Sequence, residues 1–260
     1  MKKIFVVLVM LAAALTATAQ ETGFEKKTFT SEDGKTLNYR LLTPDVNASG
    51  KKFPLVLFLH GAGERGNDNE SHLVHGSQMF LNPVNREKYP AYVLFPQCPA
   101  EDYWAFLGRP HSFTAVEAED EVTPIIKAVK ELLDSYLENP RIDRSRVYIM
   151  GLSMGGMGTF DMVCRFPDTF AAAIPICGTA DNGMLADVEG VSFRIYHGDA
   201  DPVVPVECSR KAYMTLKKAG ADVEYFEFPG CGHGSWNPAF STPDFMEWLF
   251  KQKKAGKYLK

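Results

Sequence analysis

The sequence predicts a single α/β domain with a mostly parallel central β-sheet and helices on both faces. Short apolar runs alternate with segments of helical periodicity along most of the chain, which is the pattern of such a layered fold. The run Phe53–Leu59 is apolar throughout rather than alternating, as expected for a parallel strand buried on both faces. No internal repeat, low-complexity tract or charge block divides the chain. One domain therefore accounts for the whole pattern.

The predicted elements begin with an antiparallel hairpin at one edge of the sheet. Residues 24–30 and Thr36–Leu42 are strand-like and flank a turn signal at 32–34. Further strands are predicted at Phe53–Leu59, 92–95, 146–150, 172–177, 193–197 and Val223–Phe228. Helices are predicted at 122–136, 153–165, 206–218 and 244–254. Acidic residues at 117–121 favour the positive end of the first helix dipole.

The N-terminus has the pattern of an export signal. Lys2 and Lys3 precede an apolar run over 4–15, and Ala17-Thr18-Ala19 then offers a small-x-small cleavage site. The run is shorter than the roughly 20 apolar residues that span a bilayer. We therefore expect a signal peptide at 1–19 and a mature domain at 20–260 that is secreted or periplasmic.

Charge and cysteine content narrow the classes of partner. Loss of the two lysines takes the formal net charge from −4 to −6, so neither nucleic acid nor a stable membrane association is predicted. Five cysteines, an odd number, lie in the mature chain, which leaves their disulfide pairing and the oligomeric state open. They show no zinc-type spacing, so no metal is expected. These cysteines are Cys98, Cys164, Cys177, Cys208 and Cys231.

The motif Gly151-Leu152-Ser153-Met154-Gly155 points to a nucleophile. It follows the predicted strand 146–150 and opens the predicted helix 153–165, which is the strand–tight turn–helix setting of a nucleophile elbow. Small residues two positions either side of Ser153 relieve the crowding of a strained backbone, and the helix start places a positive dipole end near developing charge. Ser153 is the predicted nucleophile.

A serine hydroxyl needs a base, and the base needs an orienting acid. Both are expected on loops after later strands, in the order serine, acid, histidine. His233 follows the strand Val223–Phe228 and is the predicted base. Asp201 is favoured as the acid because proline and valines follow it, while Asp199 remains an alternative that suits a turn.

The other histidines are given different interpretations. His197 is expected to end a strand, and His111 has no positional argument as a base. His72 and His75, spaced i and i+3, are interpreted as a solvated helix face. Cys231 lies two residues before His233, so a disulfide there would brace the histidine loop.

An oxyanion hole requires two backbone donors. The amide of Met154, directly after the nucleophile, is predicted to be one of them. The glycine-rich loop after Phe53–Leu59 supplies the other, with Ala62 preferred and Gly63 the alternative, since glycines let the backbone approach a substrate. The connection 178–191 is too short for a helical lid, so we expect an open cleft with no lid domain.

Five segments together resemble bacterial α/β-hydrolases of the phospholipase/carboxylesterase and predicted-peptidase type, which are related to feruloyl and acetyl xylan esterases of carbohydrate-esterase family one. The segments, which run in order from Phe53 to Trp236, are LHGAGERG, PQCP with Trp104, GLSMGG, HGDADPVVP and CGHGSW. The resemblance implies the α/β-hydrolase fold and hydrolysis of carboxylic esters without a cofactor. It leaves the acyl group open.

The expected substrate is a small or polysaccharide-linked ester, with feruloyl or other hydroxycinnamoyl esters foremost. Trp104, Trp236 and Met154 are candidate apolar walls for an aromatic acyl group, and Arg65 or Arg109 is a candidate contact for the alcohol. Acetyl xylan or general short-chain esters are the alternatives, as is a serine peptidase with the same triad. A non-catalytic carbohydrate-binding protein on the same scaffold is the alternative of another class.

Overall fold

The fold was analysed in a computed structural model that describes residues 23–45, 51–106 and 122–256. The predicted signal peptide, the acidic residues 117–121, Arg109 and His111 lie outside the described residues. Within the described part of the chain, no helix has the length and apolar character needed to cross a membrane.

Eight strands form one sheet in the order β1-β2-β4-β3-β5-β6-β7-β8. β1 pairs with β2 and β2 with β4 in antiparallel fashion, and the remaining neighbours are parallel. The predicted hairpin and the mostly parallel sheet are therefore confirmed. The strands are β1 (Glu25–Thr30), β2 (Thr36–Leu42), β3 (Phe53–Leu59), β4 (Tyr92–Pro96), β5 (Ile142–Leu152), β6 (Ala172–Ile176), β7 (Ser192–Gly198) and β8 (Val223–Phe228).

Helices cover the sheet on both faces. The long ones coincide with predicted segments, whereas four short helices of four to six residues were not predicted because they are too short to show a period. The helices are α1 (Ser77–Leu81), α2 (Pro83–Lys88), α3 (Pro124–Leu137), α4 (Met154–Arg165), α5 (Asn182–Leu185), α6 (Glu207–Lys218), α7 (Trp236–Phe240) and α8 (Phe245–Lys251). α3 begins at a Thr123 cap whose hydroxyl accepts from the Ile126 amide.

Alternate side chains of the inner strands enter two separate cores. In β3, Leu55, Leu57 and Leu59 pack with α3, α4 and α6 on one face, while Val56 and Phe58 pack with α1, α7 and α8 on the other. Every residue of β3 is buried. The uniform apolar run is explained by this two-sided burial, since each face must supply a core.

The carboxyl ends of β3, β5, β7 and β8 lie at the same edge of the sheet because these strands run parallel. The loops that follow them therefore meet above that edge, where open α/β sheets place ligands. Every segment in which the sequence predicts a functional residue, apart from the Trp104 region after β4, starts at one of these four strand ends.

The start of α4 lies against the end of β3 with no room for a side chain. A Cβ built on Gly155 would fall on the Leu59 carbonyl oxygen, far inside van der Waals contact, and near the His60 carbonyl as well. Gly151 is similarly closed off by the Gly155 carbonyl. The two motif glycines thus allow the backbone of the elbow to contact the end of the neighbouring strand.

Gly155→Ala is expected to destabilise the protein by about 3 kcal/mol or more, because backbone atoms cannot move aside as flexible side chains do. Urea unfolding followed by circular dichroism measures the change. Gly256→Ala is the control, since a Cβ there meets nothing, and it should stay within about 0.5 kcal/mol of the parent chain. Equal stability of the two variants would contradict this account of the elbow.

Candidate active site

Ser153 sits on a strained turn between β5 and α4. Its backbone has φ 54° and ψ −118°, a region that non-glycine residues rarely occupy. The Ser153 amide donates to the Ile176 carbonyl over 2.9 Å, which ties the turn to the neighbouring strand β6. This geometry is that of a nucleophile elbow, with the Ser153 hydroxyl ahead of the first turn of α4.

Three side chains from three loops meet at this point. Nε2 of His233 lies 2.9 Å from Oγ of Ser153, and Nδ1 of His233 lies 2.8 Å from Oδ2 of Asp201. The imidazole therefore bridges the hydroxyl and the carboxylate, with both distances in the range of good hydrogen bonds. The sequence placed these residues on separate loops, and the structure brings all three together.

The Asp201 carboxylate is fully buried yet well supplied with donors. Its Oδ1 accepts from the amides of Val203 and Val204 over 2.8 and 3.0 Å. Burial alone would raise the pKa of Asp201, but the hydrogen bonds from His233 and from these two amides outweigh it and hold the pKa below its usual value. The buried carboxylate is thus placed to orient the His233 ring through its hydrogen bond to Nδ1.

Asp199, the alternative acid, has a different role. Its Oδ1 accepts from the Gly230 amide over 2.6 Å. The Ala200 amide also donates to the Cys231 carbonyl over 3.0 Å, so these two hydrogen bonds join the acid loop and the histidine loop in addition to the contact between Asp201 and His233. Asp199 thus fixes the position of one loop against the other.

The amides of Ala62 and Met154 are available for an oxyanion. Neither donates to another described residue. Ala62 and Gly63 are both exposed at the start of a short 3₁₀ turn, Ala62–Glu64, and the Met154 amide belongs to the N-terminal turn of α4. Unsatisfied amides at a helix start are suited to binding developing negative charge.

His60, a residue without a predicted role, supports this loop from below. It is buried, and its Nε2 accepts from the Cys98 amide over 2.9 Å. Nδ1 must therefore carry the proton, which it donates to the Gly61 carbonyl over 2.6 Å. Burial lowers the pKa of His60 to about 4, so the ring stays neutral in this tautomer. Its position directly before the glycine loop was the available sequence signal.

Trp104 was wrongly predicted as a cleft wall. It is fully buried, and its Nε1 donates to the His60 carbonyl over 3.0 Å. The side chain also packs against Gly158 of α4, where an added Cβ would clash with it. The Met154 side chain is likewise in the core and does not form a wall. Trp104 and Met154 thus belong to the core between the sheet and α4, beneath the site.

Trp236 remains at the site. It is half-buried at the start of α7, and its ring meets the His233 ring edge-on at a centroid distance of 5.5 Å. On its other side it contacts the ring of His75 at 5.1 Å. Nε2 of His75 in turn lies 3.9 Å from Oε1 of Glu64.

The interpretation of His72 and His75 as a solvated face is wrong, because His72 is fully buried.

Arg65 is held at the base of the glycine loop. Its Nε donates to the Ala62 carbonyl over 3.0 Å, and its guanidinium stacks on the Tyr103 ring at 4.3 Å. Nη1 of Arg65 also donates to the Asp102 carbonyl over 3.2 Å. Arg65 therefore stabilises the loop that carries Ala62 and Gly63.

No cysteine forms a disulfide in the described part of the chain, so none braces the histidine loop there. Cys177, which has the unusual φ of 41°, lies directly beneath the site. Among the described residues, one group of potential metal ligands occurs: Cys177, Asp201 and His233, with ligand atoms within 4.8 Å of one another. Burial raises the pKa of the Cys177 thiol to about 12, so it is protonated at neutral pH. Asp201 and His233 of this group are hydrogen-bonded to each other. That no metal is needed stays a prediction.

Comparisons with known proteins agree with this architecture. Residues 45–243 match the model of the phospholipase/carboxylesterase family. A probable carboxylesterase of Arabidopsis thaliana, SOBER1-like, is 30% identical over 217 residues, which cover 76% of this chain and 78% of the plant protein. A thermostable esterase of known structure is 37% identical with a TM-score of 0.82, over 89% of this chain but only 64% of that one.

A more distant structure, a ferulic acid esterase of Anaeromyces mucronatus in complex with ferulic acid, superimposes with a TM-score of 0.65 at 18% identity, over 88% of this chain and 90% of that one. Fold and site geometry define this protein as an α/β-hydrolase. More particularly, the chain belongs to the phospholipase/carboxylesterase family. The relatives and structural neighbours support its assignment as a hydrolase that acts on carboxylic esters.

The buried histidines predict acid sensitivity. Burial lowers the folded-state pKa of His60 to about 4 and that of His72 to about 3, whereas an unfolded chain has an ordinary value near 6.5. Below about pH 6.5 the unfolded state therefore binds more protons than the folded state, and stability falls as the pH is lowered towards the folded pKa values. We expect a slope of up to about 1.4 kcal/mol per pH unit for each histidine.

Urea unfolding between pH 7 and pH 4.5 tests this expectation. His60→Asn and His72→Asn should each flatten the slope, by up to about 1.4 kcal/mol per pH unit, because each removes one of the buried histidines that take up a proton on unfolding. Curves for the two variants that run parallel to that of the parent chain would show that other groups cause the acid sensitivity.

Trp104→Phe is expected to cost about 1–3 kcal/mol of stability, since it leaves the buried His60 carbonyl without its donor. It should not change the ratio of kcat/KM between methyl ferulate and p-nitrophenyl acetate, because the Trp104 ring is enclosed by protein. Trp236→Ala should change that ratio, as its ring borders His233. A ratio that moves with Trp104→Phe and not with Trp236→Ala would reverse the two assignments.

Proposed function

We propose that this protein is an exported serine carboxylesterase in which Ser153 is the nucleophile, His233 the general base and Asp201 the orienting acid. The observation that carries the proposal is the continuous contact from Oγ of Ser153 through His233 to the buried Asp201 carboxylate, at 2.9 and 2.8 Å. Export rests on the sequence pattern at residues 1–19.

The proposed mechanism is acyl transfer in two halves. His233 takes the Ser153 proton as the hydroxyl attacks the ester carbonyl, and the amides of Met154 and Ala62 bind the oxyanion. His233 then protonates the departing alcohol, which leaves an acyl-enzyme. Water, activated by the same imidazole, releases the acid, while Asp201 keeps Nδ1 protonated and Nε2 directed at the reacting oxygen. The chemistry requires no cofactor.

Several features support hydroxycinnamoyl esters as the substrate class. Trp236 offers an aromatic surface beside His233, and Gly63 offers exposed backbone in the turn Ala62–Glu64. The connection between β6 and β7 holds only the four-residue α5, which is too short for a helical lid and is compatible with a polymer-linked ester as substrate. The structural likeness to a ferulic acid esterase agrees with this choice at the level of fold. The relation to carbohydrate-esterase family one is part of the proposal.

The first experiment compares kcat/KM of the chain from Gln20 for methyl ferulate, p-nitrophenyl acetate, p-nitrophenyl octanoate and a peptide amide. We expect methyl ferulate to be preferred. Preference for the acetyl or octanoyl ester would retain the triad and move the substrate class to acetyl xylan or general esters. Turnover of the amide at rates comparable with the esters would identify a peptidase.

Ser153→Ala should lower kcat by at least about 10⁴-fold, because the remaining oxyanion donors and binding contacts cannot replace a nucleophile. Ser241→Ala is the matched control: among the described residues its hydroxyl bonds only to the Asn237 carbonyl of the preceding helix α7, and the rate of this variant should equal that of the parent chain. A fluorophosphonate probe should label the parent and the control but not Ser153→Ala. Full activity of Ser153→Ala would refute the mechanism, and absence of labelling in the parent would favour a binding protein.

A further inference from the structure

A second histidine contacts the carboxylate of Asp201. His197, at the end of β7, is fully buried, and its Nε2 lies 3.3 Å from Oδ2 of Asp201. The same nitrogen lies 3.0 Å from the Val204 carbonyl oxygen. Oδ2 is the oxygen that also accepts from His233. Asp201 therefore lies between two imidazoles, of which only that of His233 reaches the cleft.

The protonation state of His197 follows from its neighbours. Burial lowers its pKa, against the opposing effects of the Val204 carbonyl and Asp201, so the ring is neutral. Nε2 faces two acceptors and must carry the proton, which it shares between them. Nδ1 is then an acceptor, and the buried Ser209 hydroxyl lies 2.7 Å from it and donates. Ser209, in the first turn of α6, thereby complements the tautomer of His197 that the two acceptors at Nε2 require.

We propose that His197 is a positioning residue for the catalytic acid, with Ser209 as the hydrogen-bond donor to its other ring nitrogen. The inference rests on the proposed function and extends it to a part of the chain that touches no substrate. Val203 and Val204 fix one carboxylate oxygen through their amides, and His197 fixes the other. With both oxygens held, Oδ2 stays directed at Nδ1 of His233, and the hydrogen bond between them is protected against rotation of the carboxylate.

The other charged groups near His197 do not compete with Asp201 for its Nε2 proton. On the neighbouring strand β8, Glu227 is opposite His197 in the sheet register, but Arg210 of α6 pairs with that carboxylate over 2.6 Å. His233 approaches from the histidine loop and shares Asp201. The Asp201 carboxylate is therefore the anion that interacts most directly with Nε2 of His197.

Loss of the His197 donor has two expected consequences. Asp201 becomes less well oriented, so kcat should fall about 10- to 100-fold, the range for a hydrogen bond to a charged group, with KM unchanged. The carboxylate also becomes a stronger acceptor for His233, which stabilises the imidazolium. The acid limb of the kcat/KM profile should therefore move to higher pH.

Three variants, assayed in the full mature chain with the preferred ester, test the proposal. His197→Phe removes the donor and should show both effects. His197→Gln keeps an N–H near the position of Nε2 and should restore most of kcat with the acid limb close to that of the parent. Ser209→Ala removes the hydrogen bond to Nδ1 that supports the ring, and should show both effects to a smaller degree. His72→Phe is the control, because it removes a buried imidazole that does not contact Asp201 and should leave the acid limb in place.

A proton NMR spectrum adds a direct readout. The low-field resonance of the His233 Nδ1 proton, which reports its hydrogen bond to Asp201, should shift in His197→Phe and Ser209→Ala but not in His72→Phe. Parent-like kcat, acid limb and resonance in His197→Phe would overturn the proposal, as would an equal loss in His197→Gln. If His197→Phe does not fold, Ser209→Ala decides: an unchanged acid limb and resonance there also overturn it.

Failure of this inference is separable from failure of the proposed function. Ser153→Ala tests the nucleophile without touching His197, so an inactive Ser153→Ala beside an unaffected His197→Phe refutes only the positioning role. An active Ser153→Ala refutes the mechanism itself.

Discussion

The closeness of the backbone at the start of α4 to the end of β3 is the contact on which the site depends. Gly155 meets the carbonyls of Leu59 and His60 with no space for a side chain. Because the two segments touch, the strained Ser153 turn is held against the end of β3. The Met154 amide, in the first turn of α4, and the Ala62 amide, in the loop after β3, therefore belong to segments that are in contact. His60 and Trp104 then hold the β3 loop from beneath through hydrogen bonds. Packing of backbone against backbone thus fixes the two segments that carry the proposed oxyanion donors.

A second constraint is the cost of burying the Asp201 charge. An isolated buried carboxylate would become protonated, but here the amides of its own loop and two imidazoles supply the donors. The same loop is joined to the histidine loop through Asp199 and Gly230. The donors that stabilise the buried charge of Asp201 thus also fix the orientation of its carboxylate towards His233.

Most of the fold and the three central site residues could be predicted because they leave local patterns. Continuous apolar runs marked the parallel strands, and the glycine motif marked Ser153 in its strand–turn–helix setting. Asp201 and His233 followed from chain order and from their positions just after strands. Trp104 and His72 were misjudged for one reason: nothing in their local sequence distinguishes a buried side chain beneath a loop from an exposed one above it. Short helices such as α5 and α7 have too few residues for a period to appear.

The sequence by itself determined the α/β layering, the elbow at Ser153 and the order of the functional loops, since periodicity, turn residues and chain order are properties of neighbouring residues. Only the tertiary structure decided which groups share the site. The distances at His233, the role of Asp199 as a tie between loops, and the contact of His197 with Asp201 arise where β7 and β8 lie side by side. Residues far apart in the chain are brought together there by burial of the sheet, which no local pattern records.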